Sequence, residues 1–159
     1  MGTRGIFGFR YKGKYYMVYN QYDSGHMGAY LLEEIKAMMK NDQFDEWLEL
    51  FLSLKIVTDE DIPTEEDLNA LSAYTDNEIG RLDNLNFYTL TRKCQGSFLR
   101  VLQSKFILIV PRFSDSVGVD IFIEYVYVLN FDDKSFVVID YYTETTIPLP
   151  MPDDFELKF

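Results

Sequence analysis

Two runs late in this chain, Phe122–Phe131 (FIEYVYVLNF) and Ser135–Tyr142 (SFVVIDYY), are joined by Asp132-Asp133-Lys134, and over several residues both of their alternating faces are apolar. A half-solvated strand alternates apolar with polar, whereas a strand apolar on both sides has to be covered on both. The pair is therefore expected to form central strands of a sheet.

The chain opens with a second hairpin. From Arg4 to Tyr11 the residues alternate, with Phe7, Phe9 and Tyr11 on one side and Ile6, Gly8 and Arg10 on the other. This is the period of a strand. Lys12-Gly13-Lys14 reads as the turn, Gly13 supplying a positive φ, and Tyr15–Tyr19 as the return strand. A phosphate cradle needs clustered glycines that open a helix after a strand. Gly5 and Gly8 instead sit inside a strand, where glycine marks a bulge or a close backbone approach.

Between the hairpins the pattern turns helical. After a loop at Asp23–His26, Met27, Tyr30, Leu31, Ile35, Met38 and Met39 recur at helical spacing, and Phe44, Trp47, Leu48, Phe51 and Leu52 form the stripe of a second helix. The acidic run DEDIPTEED lacks the alternating oxygens, central Gly and terminal Glu of a calcium loop. Thr64 followed by Glu65-Glu66-Asp67 reads instead as an N-cap with an acidic first turn, opening a helical segment that ends near Tyr74. Leu85 to Leu102 carries a further helical pattern interrupted at Gly96, with Cys94 on its apolar side. FILIV, stopped by Pro111, is too short to assign by period.

Terminal hairpins around a helical middle predict an α+β fold: an antiparallel sheet from the N- and C-terminal hairpins, covered by the central helices. Residues 1–147 form one domain on this reading. Pro148, Pro150 and Pro152 alternate and cannot donate regular ladder bonds, so residues 148–159 read as an extended Pro-rich tail that carries Phe155, Leu157 and Phe159.

Composition narrows the function. The chain has 26 acidic and 15 basic residues, a net charge of −11, which repels phosphate backbones and argues against nucleic acid as a partner. Cys94 is the only cysteine, so no internal disulfide or Cys-rich zinc site is expected and a reducing, intracellular compartment suits the chain. The opening lacks a signal-peptide pattern, and no apolar run approaches the roughly 18 residues of a membrane helix. No membrane association is expected. A myristoylation motif would want Ser or Thr where Ile6 stands.

MGTRG followed by FRYKGKYYMVYNQYDS, together with FIEYVYVLNFDDKSFVVI, resembles a family of uncharacterised proteins found in fungi and in large DNA viruses of amoebae. Typical members carry a Tyr-Pro-x-Gly-like stretch where this chain has Ser24-Gly25-His26-Met27. The resemblance implies a viral or fungal intracellular origin, with localisation in host cytoplasm or virion if viral, and assigns no catalytic residues.

Candidate chemistry is sparse. Removal of Met1 would expose Gly2, not Thr3, as the terminal residue, so a threonine nucleophile would need a second cleavage. His26 and Cys94 offer a base and a nucleophile without a flanking motif, and Asp23 with Glu124 is one of many possible carboxylate pairs. No catalytic, cofactor-binding or metal-ligating residue is singled out, and no cofactor is expected. Twelve Tyr, thirteen Phe and six Met are types favoured at protein interfaces. The bases are also segregated: Arg4, Arg10, Lys12 and Lys14 precede the first acid, and Arg92, Lys93, Arg100, Lys105 and Arg112 fill an acid-free interval between Asp83 and Asp115. The sequence therefore reads as a non-enzymatic, self-associating protein, a homodimer or a partner of another protein. Candidate interaction residues are Arg10, Lys12, Lys14, Phe155, Leu157 and Phe159. A small hydrolase or transferase with an unrecognised pocket is the alternative.

Overall fold

The protein's structure is a computed structural model, which describes residues 3–76, 85–141 and 143–157. Strands β1 (Gly5–Tyr11) and β2 (Lys14–Asn20) form the first hairpin, and β5 (Tyr125–Asn130) and β6 (Ser135–Ile139) the second. They combine with β7 (Glu144–Pro148) into one five-stranded sheet of order β2-β1-β5-β6-β7. The fold is α+β as expected, and all pairings in this sheet are antiparallel except one. Where the two hairpins meet, β1 runs parallel to β5, Phe7 opposite Tyr127 and Phe9 opposite Leu129. A parallel neighbour needs a long crossover, which the helical middle provides.

The first turn puts both Lys12 (φ 49°) and Gly13 (φ 76°) in the left-handed region. This is the geometry whose twist suits a two-residue hairpin, and it disfavours a lysine. The carboxylate of Asp132, in the loop of the second hairpin, holds it in place by accepting the backbone N–H groups of Lys12 (2.6 Å) and Gly13 (2.9 Å). Within β1, a Cβ on Gly8 would lie 2.0 Å from the Tyr16 carbonyl oxygen. The glycine there permits a close backbone approach.

Helices α1 (Ser24–Lys40), α2 (Phe44–Leu52) and α5 (Phe98–Ser104) cover one face of the sheet. Phe7, Phe9, Tyr127, Leu129 and Phe136 meet Leu31, Ile35, Trp47 and Phe51 there. Much of the aromatic content is spent in this core: Phe9 stacks on Phe131 at 5.6 Å and packs against Phe51 and Phe98. α1 starts three residues earlier than the predicted Met27, because Ser24 is buried and its side chain accepts from the Asn20 amide at 3.0 Å. Glu34 of α1 accepts the N–H of Phe98 (2.8 Å) and the Ser97 hydroxyl, closing the open N-terminus of α5. Burial outweighs these bonds and raises the carboxyl above its ordinary range.

The opposite face, carrying Ile6, Met17, Val126 and Val128, is covered by the irregular segment 110–123 through Phe113 and Ile123. A small parallel sheet pairs β3 (Lys55–Val57) with β4 (Phe106–Leu108), so the ambiguous FILIV begins as a strand. α3 (Glu65–Ala70) opens with the expected Thr64 cap, elaborated into a reciprocal capping box with Asp67, whose carboxylate also takes the Lys55 ammonium at 2.8 Å. The pattern from Leu85 onward is not one helix. α4 (Phe87–Leu90) and a 3-10 turn at Arg92–Cys94 come first, the chain breaks at Gly96, and α5 follows.

The proline-rich end belongs to the fold. β7 pairs Pro148 opposite Ser135 on an edge strand, where a proline costs least. Beyond it Leu149 and Met151 are buried, and Phe155 and Leu157 pack half-buried on the helix-side core. Phe159 lies outside the described residues.

Candidate functional site

Cys94 and His26, weighed in the sequence as nucleophile and base, differ in their surroundings. Cys94 is buried, its Sγ facing the Arg100 carbonyl at 3.7 Å, and burial pushes its thiol up to about 11. A thiol protonated at neutral pH is a poor nucleophile. His26 is exposed in the first turn of α1. Among the described residues no three His, Cys, Asp or Glu side chains cluster to hold a metal ion, and no helix is long and apolar enough to cross a membrane.

The candidate interaction residues among the described residues make contacts within their own subunit. Arg10 Nε lies 3.9 Å from Asp132 Oδ2 with its guanidinium over the Tyr15 ring, and Lys14 pairs with Asp115. Asp115 raises the Lys14 ammonium pKa. Lys12 reaches over its neighbour Tyr11. At the other end of the chain, the Lys36 ammonium donates to the carbonyls of Asp153 (2.9 Å) and Phe155, fixing the segment that presses Phe155 and Leu157 onto the core.

The most distinctive surface lies elsewhere, where segment 110–123 ends. Asp120 organises a tight loop there: its Oδ1 accepts the N–H groups of Phe122 (2.7 Å) and Ile123 (2.8 Å), and its Oδ2 accepts from the Arg112 guanidinium at 2.8 Å. Arg112 foremost, with those two N–H groups, holds the carboxyl below its ordinary range. The loop buries Ile123 but turns Ile121 and Phe122 outward, 82% and 55% exposed. Tyr141, 54% exposed, donates to the Asp120 carbonyl at 3.3 Å and extends the same surface. Arg4 stands over the Phe122 ring at 5.8 Å. The pinned loop thus holds two large apolar side chains in water.

Phe122 also stands beside a groove of about 600 Å³. Its floor is Leu108, Ile109 and Val110, three successive residues that each touch a different hydrophobic cluster. Val18, Phe113 and Ile123 add apolar wall, and Tyr19, Tyr88 and Gln95 add polar groups. Neither Cys94 nor His26 lines it. Such a lining suits recognition of an apolar surface or molecule.

Sequence reasoning reached Arg4 and Arg112 as members of basic intervals, and Phe122 as the start of a strand. It read Tyr141 as part of a strand and passed over Asp120 and Ile121. The available signal was Phe122 itself, an apolar residue at a position where the alternation Val117, Val119, Ile121, Ile123 calls for a polar one, directly after Asp120-Ile121. No protein-family model, curated protein or solved structure matches this chain.

Proposed function

We propose that the protein is a non-enzymatic, self-associating interaction component that forms a homodimer through the face presented by Ile121, Phe122 and Tyr141. The observation that supports this is the Asp120-pinned loop, which holds its apolar residues out of a core that lies directly beneath them. Charge supports the choice of a second copy. Each subunit carries a net −11, so two copies repel one another except where acids are sparse. The patch borders Arg4 and a groove wall drawn from the acid-free interval 84–114, so few acids of one copy would face acids of the other. A two-fold contact sets the patch against itself. With the patch at its centre, such an interface would have to extend over about 800 Å² per subunit.

The resemblance of the two terminal blocks supports a virion-associated or fungal intracellular setting, and the lone buried thiol suits a reducing compartment. Sedimentation velocity across micromolar concentrations tests the reading. A dimer that Phe122→Asp converts to monomer is the expected result. A clean monomer for the parent chain at every concentration would overturn it.

A further inference from the structure

The groove behind the patch has the size of a small-molecule site, typically about 300–1,000 Å³, and its lining is more selective than apolar packing requires. Leu108, Ile109 and Val110 are half-buried rather than buried, so each spends one side on its cluster and leaves the other toward the groove. Most of the remaining wall comes from residues 86–113, inside the acid-free interval of a chain with net charge −11. Asp59, exposed, is the single acid among the lining residues. Arg112 is neutralised by Asp120, whereas Arg4, over Phe122 and beside Tyr19, is in no ion pair among the described residues.

An apolar floor, with Arg4 set against the lining residues Phe122 and Tyr19 and in no ion pair among the described residues, matches one chemical class. We propose that this groove binds a small amphipathic anion, an apolar chain or ring bearing a single carboxylate or sulfonate. The apolar part lies along Leu108–Val110 and Val18, and the head group lies toward the Arg4 guanidinium. Both contributions are needed. Burial of the apolar part supplies most of the affinity, and the guanidinium selects an anion over its neutral counterpart.

The probe is 8-anilinonaphthalene-1-sulfonate titrated into the full chain, with near-UV circular dichroism recorded throughout to confirm native packing. One site per subunit is expected, from which dodecanoate displaces the probe and dodecanol does so about fivefold less well, the difference expected of one partly exposed charge contact. Arg4→Gln should weaken probe binding about fivefold and Arg4→Lys restore most of it, because lysine keeps the charge without the guanidinium plane. Leu108→Trp should abolish binding by filling the floor. Should that variant lose its native dichroism, Arg4→Gln, a half-exposed substitution, carries the decision. Parental affinity in Arg4→Gln, equal competition by dodecanol and dodecanoate, or several equivalent probe sites would each overturn the proposal. The groove belongs to one subunit, so a monomer that binds the probe would leave this inference standing while overturning self-association.

Discussion

Arg112 and Asp120, eight residues apart, meet at 2.8 Å across the loop that presents Ile121 and Phe122, and the same carboxylate holds the loop's backbone. An ion pair this exposed contributes little stability by itself. Its consequence is order. Asp120→Ala should loosen the loop, so that association has to supply the ordering entropy, on the order of 1 kcal/mol. The dimer dissociation constant is expected to rise about fivefold while the melting temperature barely moves, as read by sedimentation equilibrium beside thermal denaturation. An unchanged dissociation constant would remove the loop from the interface.

The basic residues of the first hairpin provide the contrast. Arg10 and Lys14 already face Asp132 and Asp115 of their own subunit. Replacing Arg10, Lys12 and Lys14 together by Gln should therefore leave dimer affinity and its salt dependence near the parent's, because exposed charges with internal partners have little left to offer a second chain. A weakened, salt-insensitive dimer would place the interface at that turn instead.

Packing of α1 on the sheet depends on Gly28. A Cβ there would lie 2.7 Å from the Tyr127 ring, whose hydroxyl donates to the Ser24 carbonyl at 2.7 Å. Gly28→Ala should force the ring aside and cost about 1–3 kcal/mol, the usual penalty of overpacking. At Gly25 the added methyl would meet Tyr125 no closer than 3.4 Å. Gly25→Ala should be close to neutral, and urea midpoints of the two variants compare the sites directly.

Deleting Asp153 to Phe159 removes the carbonyls that Lys36 binds and the half-buried side chains of Phe155 and Leu157. A loss of about 1–3 kcal/mol is expected from the apolar area exposed. The oligomeric state should stay unchanged, since the contact lies within one subunit. A truncated protein with the parent's melting curve would show that these contacts contribute nothing.

Two carboxyls give opposite pH dependences. Asp67, held low first by the Lys55 ammonium and then by the Thr64 N–H, binds protons less readily folded than unfolded. Its stabilisation is complete above the ordinary aspartate value and is lost as pH falls through the lowered one. Glu34, raised by burial, binds its proton more readily folded; its contribution is complete below the ordinary glutamate value and is lost as pH rises through the raised one. Asp67→Asn should flatten the acid limb of the stability profile, and Glu34→Gln should remove the decline on its upper side. Denaturant midpoints measured across the acid range check both signs.

What the sequence determined by itself is local. Both hairpins follow from residues within a few positions of one another: alternation in Phe7-Gly8-Phe9, the glycine at 13, the apolar runs around Asp132. The Thr64 cap is equally local, because a capping hydroxyl reaches only three residues ahead. What tertiary structure decided is everything that joins distant segments. The parallel register of β1 on β5, the pairing of three-residue β3 with β4, and the choice of segment 110–123 to cover the second face depend on partners far away in the chain. Short apolar runs carry no period that names such partners. The strand before the proline tail depends on a distant partner too, since prolines exclude a central strand but permit the edge that β6 leaves open, where Pro148 pairs with Ser135. The site was the least legible. Ile121 and Phe122 look in sequence like two more core residues, and only the folded geometry of Asp120, closing its loop while Arg112 approaches from eight residues back, turns them out to the solvent.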